Sequence, residues 1–265
     1  MKIAFWSNVE RDVGVTTNTA CLAAMHAIHG GKSLMVENHY GLHNIGSIIM
    51  PQERVDHLRE EGHYHYKYGI EHILKELYAG SNDKDLLYQA AIPIVYENLL
   101  YLPQSYIVNR EVFNYEFDLV REKLFQYLEE ISDDLFIDTE TNRNHSSVHI
   151  LSETDLVVVN LIQDEKALGD FFENYSSICD KALFIISKYQ KENPWNMRKI
   201  SYQYQIPPSR LGVIPYNMEL EDAMKQGRLL QFLNRNMEGT LTKENQYFMR
   251  HLQKTVAMLE RHTQP

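Results

Sequence analysis

The stretch "NVERDVGVTTNTACLAA", Asn8 to Ala24, follows the apolar run Ile3-Ala4-Phe5-Trp6. The pattern predicts a strand, a tight loop and then a helix whose apolar face carries Ala20, Ala23, Ala24, Ala27 and Ile28. Gly14 supplies the tight turn, and Thr16-Thr17 stand where the helix begins. That is the outline of a phosphate-binding loop, in which backbone N–H groups at a helix N-terminus point at an anion. Such a loop also needs a lysine for the terminal phosphates and a Ser or Thr for Mg²⁺. Here the lysine is missing. On these residues alone, a threonine capping an ordinary helix competes with the phosphate reading.

Outward from the loop, short apolar runs alternate with helical patterns. Strands are expected at Lys2–Ser7, Ser33–Glu37, Leu99–Leu102, Leu135–Asp138, Leu156–Leu161, Leu183–Ser187 and Gly212–Pro215. Helices are expected at Thr16–His29, Arg110–Ile131, 219–235 and 242–262, and residues 41–90 read as a polar, tyrosine-rich helical elaboration beside the sheet. Continuous apolar runs fit strands buried on both faces. The alternation predicts an α/β fold: a doubly wound, mostly parallel sheet with helices on both faces. No linker or repeat interrupts it, so one domain over 1–265 is expected.

The formal net charge of −10 argues against non-specific binding to DNA or anionic membranes. Two cysteines in 265 residues point to a reducing compartment without a disulfide framework, and Cys21 reads as a core residue. No run of eighteen apolar residues exists and no signal-peptide pattern is visible, so a cytoplasmic protein is expected.

The order of several segments is similar to one family. Glu10-Arg11-Asp12-Val13-Gly14-Val15-Thr16-Thr17, then Asn18-Thr19-Ala20-Cys21-Leu22-Ala23, resembles a K-G-G-x-G-K-T-T loop followed by an N-x-A-x-x-L-A helix. Met35-Val36-Glu37-Asn38-His39-Tyr40-Gly41-Leu42-His43-Asn44-Ile45-Gly46 resembles L-I-D-x-D-x-G-L-x-N-L-D. Asn98–Pro103, Asp134–Thr139, Thr154–Val159 and Leu211–Asn217, with Ala223 and Gly227 downstream, follow in the matching order. Together they resemble the ParA/MinD family of dimerising P-loop ATPases across residues 1–235, with the TadZ/CpaE pilus-assembly localisation proteins as the nearest group. CpaE-type members often carry an N-terminal receiver-like domain, which is not expected here because the loop's strand starts at Lys2.

The resemblance implies an ATP and Mg²⁺ site built on Arg11, Asp12, Val13, Gly14, Val15, Thr16, Thr17 and Asp138, with Tyr216 and Asn217 near the base. It implies Mg²⁺ held weakly by Thr16 and Asp138, although Asp138 reads equally as a structural relic. The departures matter more. Val15 occupies the loop-lysine position, Glu10 that of the lysine reaching across the dimer, Gly46 that of the water-positioning aspartate, and His39 that of the second strand-end aspartate. Each lost charge-assisted hydrogen bond is worth roughly 1.5–3 kcal/mol. Two together weaken nucleotide binding on the order of a hundredfold or more. Arg11 as a substitute cation is less favoured than an exposed loop arginine.

The expectation is therefore a degenerate, non-catalytic or weakly ATP-binding homodimer that recruits protein components of a Flp/Tad-type pilus, secretion or positioning machine. It would have no transmembrane segment, and any peripheral membrane contact would come through partners. The alternative is an active nucleotide-switched ATPase of DNA partition or septum placement. A DNA-binding module using the basic stripe Lys243, Arg250, Lys254 and Arg261 ranks third, because Glu244 and Glu260 interrupt that stripe and nucleic acid is not an expected partner. A metal at His63-Tyr64-His65-Tyr66 and a tyrosine-kinase role are both disfavoured, the first for want of ligand spacing and the second for want of cations.

Overall fold

The computed structural model describes residues 1–10, 12–38, 44–57, 69–81, 83–95, 98–104, 110–141 and 145–263. Among the described residues, eight strands form one sheet: β1 (Lys2–Trp6), β2 (Ser33–Asn38), β3 (Ile92–Val95), β4 (Leu99–Leu102), β5 (Asp134–Thr139), β6 (Leu156–Leu161), β7 (Ala182–Tyr189) and β8 (Leu211–Pro215). Their order is β3-β4-β2-β5-β1-β6-β7-β8. Every pairing is parallel except β3 with β4. The antiparallel strand sits at the edge, where Pro93 removes no ladder donor that a neighbour needs.

The helices are α1 (Val15–Ile28), α2 (Ile45–Ile49), α3 (Ile70–Tyr78), α4 (Leu86–Ala90), α5 (Arg110–Ile131), α6 (His145–Glu153), α7 (Glu165–Asn174), α8 (Met197–Gln203), α9 (Met218–Lys225), α10 (Leu229–Glu238) and α11 (Lys243–Thr263). Side chains alternate across the sheet with period two. Ile3, Phe5, Met35, Tyr101 and Phe136 face α1 and α11, in one cluster with Leu22, Phe248 and Leu252. Ala4, Leu34, Val36, Leu135 and Ile137 face the other way, toward Ile73 of α3 and Phe117 and Leu124 of α5. On β6–β8, Val157, Val159 and Phe184 meet Leu168 and Phe171 of α7. Cys21 is fully buried, and burial pushes its thiol pKa up to about 12, as suits a core residue. Among the described residues no helix is long and apolar enough to cross a membrane.

The structure differs from the sequence expectation in three places. The expected 219–235 helix is two helices, because Gly227 takes a left-handed φ of 65° between α9 and α10. β3 lies just beyond the expected elaboration, whose described parts include α2, residues 52–57, α3 and α4. Helices α6, α7 and α8 join the expected set.

Candidate functional site

β1 lies between β5 and β6: the crossover that leaves β1 runs past β5 to β2, whereas the later crossovers run the other way, from β5 past β1 to β6 and on to β7 and β8. A crevice at the carboxyl ends of such strands is where doubly wound sheets take ligands. The loop Ser7–Gly14 emerges there and delivers the chain into α1. Among the described residues of the loop, two adopt left-handed backbone, Asp12 at φ 56° and Gly14 at φ 87°. A Cβ on Gly14 would meet nothing within 4 Å, so the turn selects glycine for its backbone angle and not for space.

Gly14 is the N-cap of α1 and offers no capping side chain, and no acid occupies the first turn. The first intrahelical bond runs from Asn18 N–H to Gly14 C=O at 2.9 Å. The N–H groups of Val15, Thr16 and Thr17 therefore precede the helical ladder at the carboxyl edge of the sheet, the arrangement that attracts an anion. The loop is anchored from outside by Asn8, whose Nδ2 donates to Ala167 C=O at 3.0 Å and to Asp170 Oδ2 at 2.8 Å. From beneath, Asn18 Nδ2 donates to Asn160 Oδ1 at 2.7 Å and to Ser187 Oγ at 2.8 Å, while Asn160 Nδ2 donates to Trp6 C=O at 3.3 Å. All three polar side chains are buried, and together they tie the first turn of α1 to β1, β6 and β7.

The electrostatics oppose the backbone. Among the described residues from Asn8 to Asn18 there is no lysine or arginine, while Glu10 and Asp12 are exposed carboxylates. Arg11 lies outside the described residues. Val15 is only 9 % exposed and packs in the core with Val13, so it offers an apolar side chain where a phosphate would need a cation. Thr16 and Thr17 are half-buried in the first turn of α1. Asp138 is buried at the end of β5, in register with Phe5 on one side and Glu37 on the other. The hydroxyl and carboxylate types fit a hard cation, and the loop fits an anion through its backbone alone.

Tyr216 and Asn217 lie at the end of β8, three strands from β1. Tyr216 is 42 % exposed, and its hydroxyl donates to Glu221 Oε2 at 3.3 Å. Asn217 caps α9: its Oδ1 accepts from Leu220 N–H at 2.8 Å, and its Nδ2 donates to Asn245 Oδ1 at 2.9 Å. His39 and the His63–Tyr66 segment lie outside the described residues.

The sequence does not announce one arrangement at this edge. Glu37, at the end of β2, is fully buried. Its Oε1 accepts from Ile45 N–H, and its Oε2 accepts from Tyr101 Oη at 2.6 Å. Tyr101 Oη accepts in turn from Gly46 N–H at 3.1 Å. Asn44 completes the start of α2 by accepting from Ser47 N–H at 2.9 Å. The far end of α2 is pinned by Gly227, where a Cβ would come within 1.9 Å of Met50 C=O. Residues 44–51 thus meet close protein contacts at both ends. At Gly46 a side chain would also crowd Tyr101 Oη, 3.1 Å from a Cβ placed there. The signals that point here are Glu37 at a motif acid and Tyr101 inside an apolar run.

No protein-family model and no curated protein matches the sequence. Solved structures match along the whole length. The septum site-determining protein MinD of Pyrococcus horikoshii OT3, complexed with Mg-ADP, superposes with a TM-score of 0.70 at 16 % identity, covering 99 % of each chain. A ParA family ATPase from Chlorobium tepidum TLS gives 0.71 at 13 % identity over 97 % of this chain and 98 % of that one. A putative plasmid partition protein from Borrelia burgdorferi B31, bound to AMPPNP, gives 0.62 at 17 % identity over 98 % of both chains. The chain has the ParA/MinD fold. That fold accounts for the strand order around β1 and for a loop that passes from β1 into α1. It does not account for the buried valine at the head of α1 or for the Glu37–Tyr101 tie.

Proposed function

We propose that this chain is a degenerate ParA/MinD-like protein, a cytoplasmic homodimer that recruits partners through its surfaces and does not turn over ATP rapidly. The observation that carries this reading is the pairing of a cation-poor loop with the Glu37–Tyr101 tie. Val15 stands in the core at the loop-lysine position, and Glu37 and Tyr101 hold the start of α2 through side-chain and backbone hydrogen bonds. ATP and Mg²⁺ bind weakly, through the backbone of Gly14, Val15, Thr16 and Thr17, with Thr16 and Asp138 toward the cation and Tyr216 and Asn217 toward the base. The machine it serves is of the Flp/Tad pilus or secretion type, by the resemblance of its sequence to the TadZ/CpaE group. Any approach to a membrane is made through those partners.

The alternative, a nucleotide-switched ATPase of DNA partition or septum placement, draws on what the matched structures are named for. Light scattering on the purified chain, with and without Mg-ATP, separates the two. A dimer of the same mass in both conditions is expected. A monomer that dimerises only with Mg-ATP would overturn the constitutive reading in favour of the switch.

A further inference from the structure

At the opposite, amino end of the sheet, four ionisable side chains meet. His26 comes from the last turn of α1 and His29 from its C-cap, Asp134 from the start of β5 and Glu260 from α11. His26 Nε2 lies 3.0 Å from Asp134 Oδ2, and its Nδ1 lies 3.3 Å from Glu260 Oε1. His29 Nδ1 lies 2.8 Å from the same Glu260 oxygen, and the Met1 amino group lies 3.7 Å from Asp134 Oδ1. Gly31 makes room for the arrangement, because a Cβ there would fall 2.1 Å from His26 Nε2. The Phe136 ring packs beside the imidazole at 5.8 Å.

A neutral imidazole has one N–H and one bare nitrogen. With a carboxylate oxygen facing each nitrogen of a buried ring, only the imidazolium donates to both. We propose that His26 is a proton-operated latch: its imidazolium fastens the C-terminal helix α11 to β5, and loss of the proton gives up its hydrogen bond to Glu260, leaves that carboxylate to His29 alone and loosens the last turn of α11. The Asp134 hydrogen bond raises the His26 pKa above its ordinary 6.5, burial opposes the rise, and Glu260 adds to it. Because the folded-state value lies above the unfolded one, the stabilisation is complete below about pH 6.5 and is lost as pH rises through the folded-state value. His29, more exposed, shares Glu260 but not Asp134.

Amide hydrogen exchange in residues 257–263 of the full chain, corrected for the intrinsic rate, tests this at about pH 6 and about pH 8.5. Exchange is expected to rise on the order of tenfold at the higher pH, as losing one charge-assisted bond implies. In His26→Gln the two rates are expected to coincide. Glu260→Gln, a change at the half-buried rim, gives the same flat profile should His26→Gln fold poorly. A wild-type rate that does not change with pH overturns the latch. So does a step that survives in His26→Gln, since His29 would then be the titrating group.

Discussion

Gly227→Ala destabilises the protein by at least about 3 kcal/mol. Two costs add at this position. The residue holds φ 65°, which an L side chain rarely adopts, and the new methyl group would sit 1.9 Å from Met50 C=O and 2.2 Å from Met50 C. Both obstacles are backbone, so no rotamer change relieves them. The α9–α10 junction must move off residues 50–51, and Leu229 and Phe232, buried just beyond, lose packing with it. Urea unfolding of wild type and variant measures the effect. A difference below about 1 kcal/mol would show that residues 50–51 yield freely and do not clamp α2.

The second large effect belongs to Glu37. Glu37→Ala leaves Tyr101 Oη and Ile45 N–H buried without their acceptor and opens a cavity, for an expected loss of about 3–5 kcal/mol. Tyr101→Phe removes the hydroxyl that donates to Glu37 and accepts from Gly46 N–H, and costs about 1.5–3 kcal/mol. Because the two side chains share one network, their costs are not additive, and the double variant is expected to fall short of the sum by at least about 1 kcal/mol. Urea unfolding of the four proteins gives the coupling directly. Strict additivity would mean that Glu37 and Tyr101 are buried independently and do not hold residues 44–46 together.

The sheet is legible in the sequence because buried parallel strands are written as unbroken apolar runs. Leu156–Leu161 and Leu183–Ser187 are visible without any knowledge of their neighbours. What stays hidden is whatever depends on distant residues. Gly227 reads as a tolerated glycine within a helical pattern until Met50 arrives against it. Tyr101 reads as one more apolar strand residue, although its hydroxyl organises the start of α2. Asn160 hides inside an apolar run while it carries the polar floor of the loop. Helices α7 and α8 are polar on most faces and bury few residues, Leu168 and Phe171 in one and Ile200 in the other. Periodicity alone does not reveal elements of that kind. The candidate site is half legible: the loop, its glycine and the acid ending β5 are in the motif order, and the missing cation is explicit in Val15. The Glu37–Tyr101 tie is not.

The account rests on a phosphate-shaped loop that has Val15 where the lysine for a bound phosphate would stand. Calorimetric titration of Mg-ATP into the purified chain, with phosphate release followed on the same sample, measures this most directly. The predicted result is saturation only at about millimolar nucleotide, with no phosphate released above the buffer control. Binding at about micromolar nucleotide with sustained turnover would contradict it.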